Sequence, residues 1–187
     1  QEVGAVNGQA YGDTGTTKYL YSAAYVKRHS GLGSGAGAIW RTDVTNPAST
    51  PSPVVWATIP NTGFNYSNDD RGLPADVNTA SQDPLAFAAA GKAGLGDIDI
   101  SADGSTLYVM NMNDKSIYPV ATATGVVGSP IAVPAPSCVN GSWRPQALEV
   151  YRGKLYAGGV CDASGVGATS LNLTMQVFGY DLTTNTW

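Results

Sequence analysis

Asp97 and Asp99 are separated by one residue in Gly94-Leu95-Gly96-Asp97-Ile98-Asp99. On a strand that spacing puts both carboxylates on one face, where they could jointly hold a cation. The alternative is structural: one caps a turn and the other pairs with an arginine such as Arg144. Two carboxylates are also the minimal glycosidase kit, but on one wall they leave no sugar-sized gap between them. A second acidic group, Asp69 and Asp70 with Asp76 and Asp83, lies in a long loop-like stretch. It makes Ca2+ the candidate cofactor, with Asp97, Asp99, Asp69 and Asp70 as candidate metal ligands, although the Asp-x-Asp-x-Asp-Gly spacing of a calcium loop is absent. The plainer reading of this group is a solvated loop packed over one end of the fold.

His29 is the only histidine and follows Lys27 and Arg28. One histidine excludes a multi-histidine metal centre within this sequence, and no Gly-x-Ser-x-Gly elbow supports a serine triad. Lys27, Arg28 and His29 therefore read either as a basic cluster contacting an anion or a carbohydrate, with Arg144 a further candidate binding residue beside Asp97 and Asp99, or as hydrogen-bonding residues that pin the neighbouring Gly-Leu-Gly-Ser-Gly-Ala-Gly loop. That loop lacks the Gly-Lys-Ser/Thr ending of a phosphate loop and runs into a strand, so it is no nucleotide site. Tyr11, Tyr25, Trp56, Phe64, Tyr66 and Trp143 are the aromatics freest to lie at the surface, where a flat ring suits sugar stacking.

The elements that must position these residues are strands. Ile98 and Ile100 alternate with polar residues, Ser-Ala-Asp-Gly follows, and Leu107 and Val109 resume the alternation. This is a hairpin, for which a two-residue turn centred on Asp103-Gly104 is expected. A turn over Asn111 to Lys115 leads to a third strand from Ser116, completing a meander whose apolar face needs a cover. The pattern recurs. Leu20-Tyr21, Leu107-Tyr108 and Leu155-Tyr156 match one another, as do Ile39-Trp40, Ile117-Tyr118 and Val177-Phe178. The repeat units run over 3–60, 94–133 and 143–187, with an insertion at 61–93 in which Asp83 caps two helical turns from Pro84 to Ala90. The matched aromatics are expected between units, as core.

The chain is thus an all-β, propeller-like array of antiparallel meander blades spanning 1–187, forming part of a larger propeller. On that register the innermost strands carry Gln9, Asp97, Asp99, Gln146 and Glu149. Charged residues make up only 13% of the sequence and the net charge is -4, so there is no electrostatic footprint for nucleic acid. No apolar run reaches the ~18 residues of a membrane span. Gln1 is not an initiator methionine, and a removed signal peptide fits. In an oxidising compartment Cys138 and Cys161 would pair; the alternative is two buried free thiols in a reducing one.

The segments Lys-Arg-His-x-Gly, Gly-Leu-Gly-Asp-Ile-Asp and Gly-Gly-Val-Cys-Asp, with the terminal Tyr-Asp-Leu-Thr-Thr-Asn-Thr-Trp, resemble the N-terminal propeller-like region of large secreted bacterial surface proteins that carry serine-aspartate-repeat B-type, immunoglobulin-like modules. The resemblance implies a secreted or cell-surface propeller with an adhesion or scaffold role and no enzymatic chemistry. Its expected partners are further chain of the same protein or copies of itself, with glycans or surface proteins as ligands. Two alternatives stand beside it: a self-assembling filament or sheath protein, and a metal-dependent propeller hydrolase or lactonase using Asp97 or Asp99.

Overall fold

A computed structural model describes residues 3–76 and 78–187. Among the described residues, eleven strands form three antiparallel sheets. The first contains β1 (Val6–Asp13), β2 (Lys18–Ala24), β3 (Ala38–Asp43) and β4 (Pro53–Thr58). The second contains β5 (Leu95–Ile100), β6 (Thr106–Asn111), β7 (Ser116–Ala121) and β8 (Ile131–Ala132). The third contains β9 (Trp143–Tyr151), β10 (Lys154–Cys161) and β11 (Thr174–Asp181). Each sheet runs in sequence order as a meander. The leading strands β1, β5 and β9 lie side by side, β5 in contact with both others, so the sheets stack as blades of a propeller-like array, the fold class the repeats predict.

The repeated pairs explain the stacking. Leu107 and Val109 of β6 join Tyr21, Ala23 and Ile39 of the first sheet in one buried cluster. Tyr108 and Met110, on the opposite face of β6, join Leu155 and Ala157 of the third sheet in another. In a strand, neighbours point to opposite faces. The Leu of each Leu-Tyr pair therefore faces the preceding sheet and the Tyr faces the following one. The second pair runs the other way: Tyr118 packs back on the first sheet and Ile117 forward on the third. Among the described residues no sheet lies beyond Tyr156 and Val177.

One turn departs from expectation. At Ser101–Thr106 only Gly104 has positive φ, at 72°; Gly104 N–H donates to the Ser101 carbonyl and Ser101 N–H to the Thr106 carbonyl. The loop is four residues long because Asp103 turns its carboxylate inward, accepting from Ser101 Oγ at 2.6 Å and from Ser105 N–H at 3.0 Å. The two-residue turn is found instead between β9 and β10, where Arg152 and Gly153 both have positive φ.

The insertion is mostly loop, with helix α1 (Pro84–Ala89) capped by Asp83. Asn111 Nδ2 holds the Pro60 carbonyl at 2.9 Å and Asn113 Nδ2 the Asn61 carbonyl at 2.8 Å, fixing the start of the insertion to the second sheet. Cys138 and Cys161 form a disulfide that ties the segment before β9 to the end of β10.

Candidate functional site

The insertion crosses the Gly-rich loop of the first sheet, and what holds the two together is a buried ion pair. Arg71 donates from Nε to Asp83 Oδ1 at 3.2 Å and from NH2 to Asp83 Oδ2 at 2.6 Å, and both side chains are 0% exposed. NH2 also reaches the Lys27 carbonyl at 3.0 Å. Asp83 accepts the His29 N–H at 2.8 Å and caps α1 through the Ala86 N–H. Burial pushes the Asp83 carboxyl up, but Arg71 and these two N–H groups outweigh it and hold it below the usual range. The Arg28 and His29 side chains both reach the insertion. Arg28 Nε donates to the Gln82 carbonyl at 2.7 Å, His29 Nδ1 bonds Ser81 Oγ at 2.7 Å, and the Arg28 guanidinium lies over the Phe87 ring. Of the two readings of this cluster, its contacts are those that pin the loop. Arg71, which completes the pin, is not among the residues the sequence singles out; its signal is a single arginine directly after Asp69-Asp70 in a loop that also carries Asp76 and Asp83.

Above the pin lies a groove of about 580 Å³, walled by Leu32–Ala36 on one side and Phe64–Asp69 on the other. Phe64 is buried and packs edge-on against Tyr66 at 5.1 Å, leaving the Tyr66 ring 47% exposed. Asn65, Ser67, Asn68 and Asp69 supply a polar rim. Asp70 turns away: its carboxylate accepts the Ser67 N–H and Oγ, bonds that keep it below the usual range.

Asp97 and Asp99 are positioned differently from either sequence reading. Asp97 accepts the Ile98 N–H at 3.0 Å and the Leu148 N–H at 3.3 Å; Asp99 accepts the Ile100 N–H at 2.8 Å and the Val150 N–H at 2.6 Å. Each carboxylate bridges β5 to the main chain of β9. Burial raises the Asp97 carboxyl, its bonds to Leu148 and Ile98 oppose this, and the Asp99 charge adds to the rise. Neither acid caps a turn or meets Arg144, which pairs instead with Asp162 at 2.8 Å. The donor set does not suit Ca2+: all four oxygens are engaged with main-chain N–H groups, Asp70 is committed to Ser67, and no three His, Cys, Asp or Glu side chains gather around a common point among the described residues. Gln9, on β1, bonds Ser22 at 3.5 Å.

No family model matches the chain, and no curated protein matches it in sequence. Among solved structures, a mutant of the GH43 protein BlXynB from Bacillus licheniformis is similar over 93% of this chain at 11% identity and a TM-score of 0.38. The β-propeller domain of Cps50 (Swd1) from Myceliophteria thermophila is similar over 96% at 11% identity and a TM-score of 0.39. This chain spans 28% and 61% of the lengths of those two chains. Neither likeness bears on chemistry.

Proposed function

We propose that the chain is a non-enzymatic binding and scaffold segment of an extracellular or cell-surface protein, with the groove beside Tyr66 as its contact site for neutral glycans. The observation that carries this reading is the exposed Tyr66 ring set among amide and hydroxyl groups on a loop pinned by a buried ion pair. Such a platform suits the apolar face of a sugar with donors and acceptors at its rim. The disulfide is of the kind oxidising compartments produce, and among the described residues no helix is long and apolar enough to cross a membrane. The hydrolase alternative would require Asp97 or Asp99 to give up its bonds to the β9 main chain. The test is titration with chitotriose, cellotriose and mannotriose, followed by intrinsic fluorescence. At least one should bind saturably and weaken roughly tenfold in Tyr66→Ala, the loss of a stacking contact. Saturable binding by none of them, or equal binding by the variant, overturns the reading.

A second reading, self-assembly, is favoured by the third sheet. Met175 is 76% and Val177 60% exposed, and by register they share a face with Val160 and Tyr156. The equivalent face is covered in the first two sheets, and β11 presents an open edge. The occupant we infer is a second copy of the chain, which the apolar match of two such faces would seat. Sedimentation should show a dimer that Val177→Asp converts to monomer; a wild-type monomer throughout the micromolar range eliminates it.

A further inference from the structure

A second cavity, of about 330 Å³, opens at the seam between the first and second sheets, on the hairpin-turn side and away from the Tyr66 groove. At its centre is Arg41, half-buried on β3. The guanidinium carbon lies 3.3 Å from the centroid of the Trp56 ring and 4.4 Å from that of Tyr19, so two aromatic rings fix its orientation. It forms no ion pair among the described residues, where the salt bridges are Arg71–Asp83 and Arg144–Asp162. Its neighbour across β2 is Tyr21, whose buried phenol lies beside it. The stacked Trp56 indole N–H is also buried without an acceptor among the described residues. This oriented, half-desolvated guanidinium meets the Tyr21 phenol and feels the Asp43 charge, but with no carboxylate at ion-pair distance it can still seat one.

The rim decides which kind. Asp13 and Asp103 both line the cavity. Asp103 is ionised across the physiological range, its carboxyl held down to about 2 by hydrogen bonds from Ser101 and Ser105. Those bonds all fall on Oδ1, so Oδ2 remains an open acceptor. Two acids around one arginine repel a bare polyanion. They suit a ligand that brings a single carboxylate for Arg41 and hydroxyl donors for the open Asp103 Oδ2 and for the second lone pairs of Asp13, whose oxygens already accept from the Tyr11 hydroxyl and the Gly15 N–H. The volume admits one pyranose ring.

We infer that the seam pocket at Arg41 is a binding site for a uronic-acid sugar, its carboxylate on the Arg41 guanidinium and its hydroxyls on Asp13 and Asp103. This does not rest on the Tyr66 groove, and the two sites are separable by variant.

The test is an NMR titration of the intact, oxidised chain with methyl β-D-glucuronide, with methyl β-D-glucoside and acetate as controls. The glucuronide should shift the Gly104 and Thr122 amides at the pocket rim and bind roughly tenfold more tightly than either control, the scale of one charge-assisted contact. Arg41→Gln should abolish that preference while Tyr66→Ala leaves it intact. The wild-type shift map decides the matter even if Arg41→Gln loosens the seam. No shift at Gly104 and Thr122, equal response to acetate, or equal response to the glucoside overturns the proposal.

Discussion

Asp83 holds Arg71 through two parallel hydrogen bonds, of 3.2 and 2.6 Å, in a place where neither side chain meets solvent. Taking both charges out of water is expensive, and the pair offsets that cost only while both partners remain. Asp83→Asn should therefore destabilise the chain by about 3–5 kcal/mol, because it strands a buried guanidinium. Arg71→Met combined with Asp83→Asn should recover part of that loss. Urea unfolding checks both, and a loss below ~1 kcal/mol in Asp83→Asn would mean that the insertion is held by something else.

Acid should loosen the same contacts. The Ser142 N–H, ahead of the opposing effect of burial, and then Arg144 and Ser164, hold the Asp162 carboxyl well below the usual range; Asp83 is also lowered. For a carboxyl depressed on folding, the stabilisation is fully present above the unfolded pKa of about 3.9 and is lost as pH falls through the folded value. Asp97 works in the opposite sense: its raised carboxyl makes ionisation a cost to the fold, which is relieved as pH drops. Asp43, Asp70, Asp103 and Asp181 are lowered as well, by hydrogen bonds within their own turns, and only Asp114 joins Asp97 among the raised aspartates, so the urea midpoint should be flat from neutrality to about pH 5 and fall below pH 4. Asp162→Asn should shallow that fall, and an unchanged acid slope in this variant would exclude Asp162 as a contributor.

The strands were legible because alternation is local: Ile98, Ile100, Leu107 and Val109 need only their neighbours to declare a buried face. So was the Asp83 cap, a side chain reaching its own helix three residues on. What could not be read was any bond crossing between sheets. The residue opposite Asp99 in space is Val150, and nothing in Gly-Asp-Ile-Asp announces a backbone N–H supplied from β9. Arg144 and Arg41 were no more legible although their partners belong to their own sheets: Asp162 follows the end of β10, and the rings that orient Arg41 stand on β2 and β4. The Leu-Tyr repeat shows the other side of this rule. Its members were aligned by type alone, and the alternation of faces along a strand then assigned each to its interface.

Asp99 makes the shortest of the inter-sheet bonds, 2.6 Å to the Val150 N–H. Removing it leaves that donor unpaired in a half-buried seam, at a cost of about 1–3 kcal/mol. In Asp99→Ala the Val150 amide should exchange with deuterium much faster while Leu155, bonded within the third sheet, keeps its protection. Unchanged Val150 exchange would show that another acceptor serves it.

Reducing the Cys138–Cys161 bond releases a loop closed across 23 residues. Chain entropy assigns such a closure roughly 3 kcal/mol. Urea unfolding with and without reductant should differ by about that amount, and coincident curves would mean that the segment before β9 is already ordered by its other contacts.

Leu20, Leu107 and Leu155 occupy the same register in three successive sheets but not the same environment. Leu107 and Leu155 each face a preceding sheet and are fully buried, whereas Leu20 faces away from the stack and is partly exposed. Truncation at a buried position loses transfer energy and leaves a cavity, so Leu107→Ala and Leu155→Ala should each cost about 2–5 kcal/mol. Leu20→Ala, on an open face, should cost under about 1 kcal/mol. The three values come from one urea series on the isolated chain. If Leu20 proves as costly as Leu107, the leading face of the first sheet is covered in solution and a second copy packs there as well as on β11.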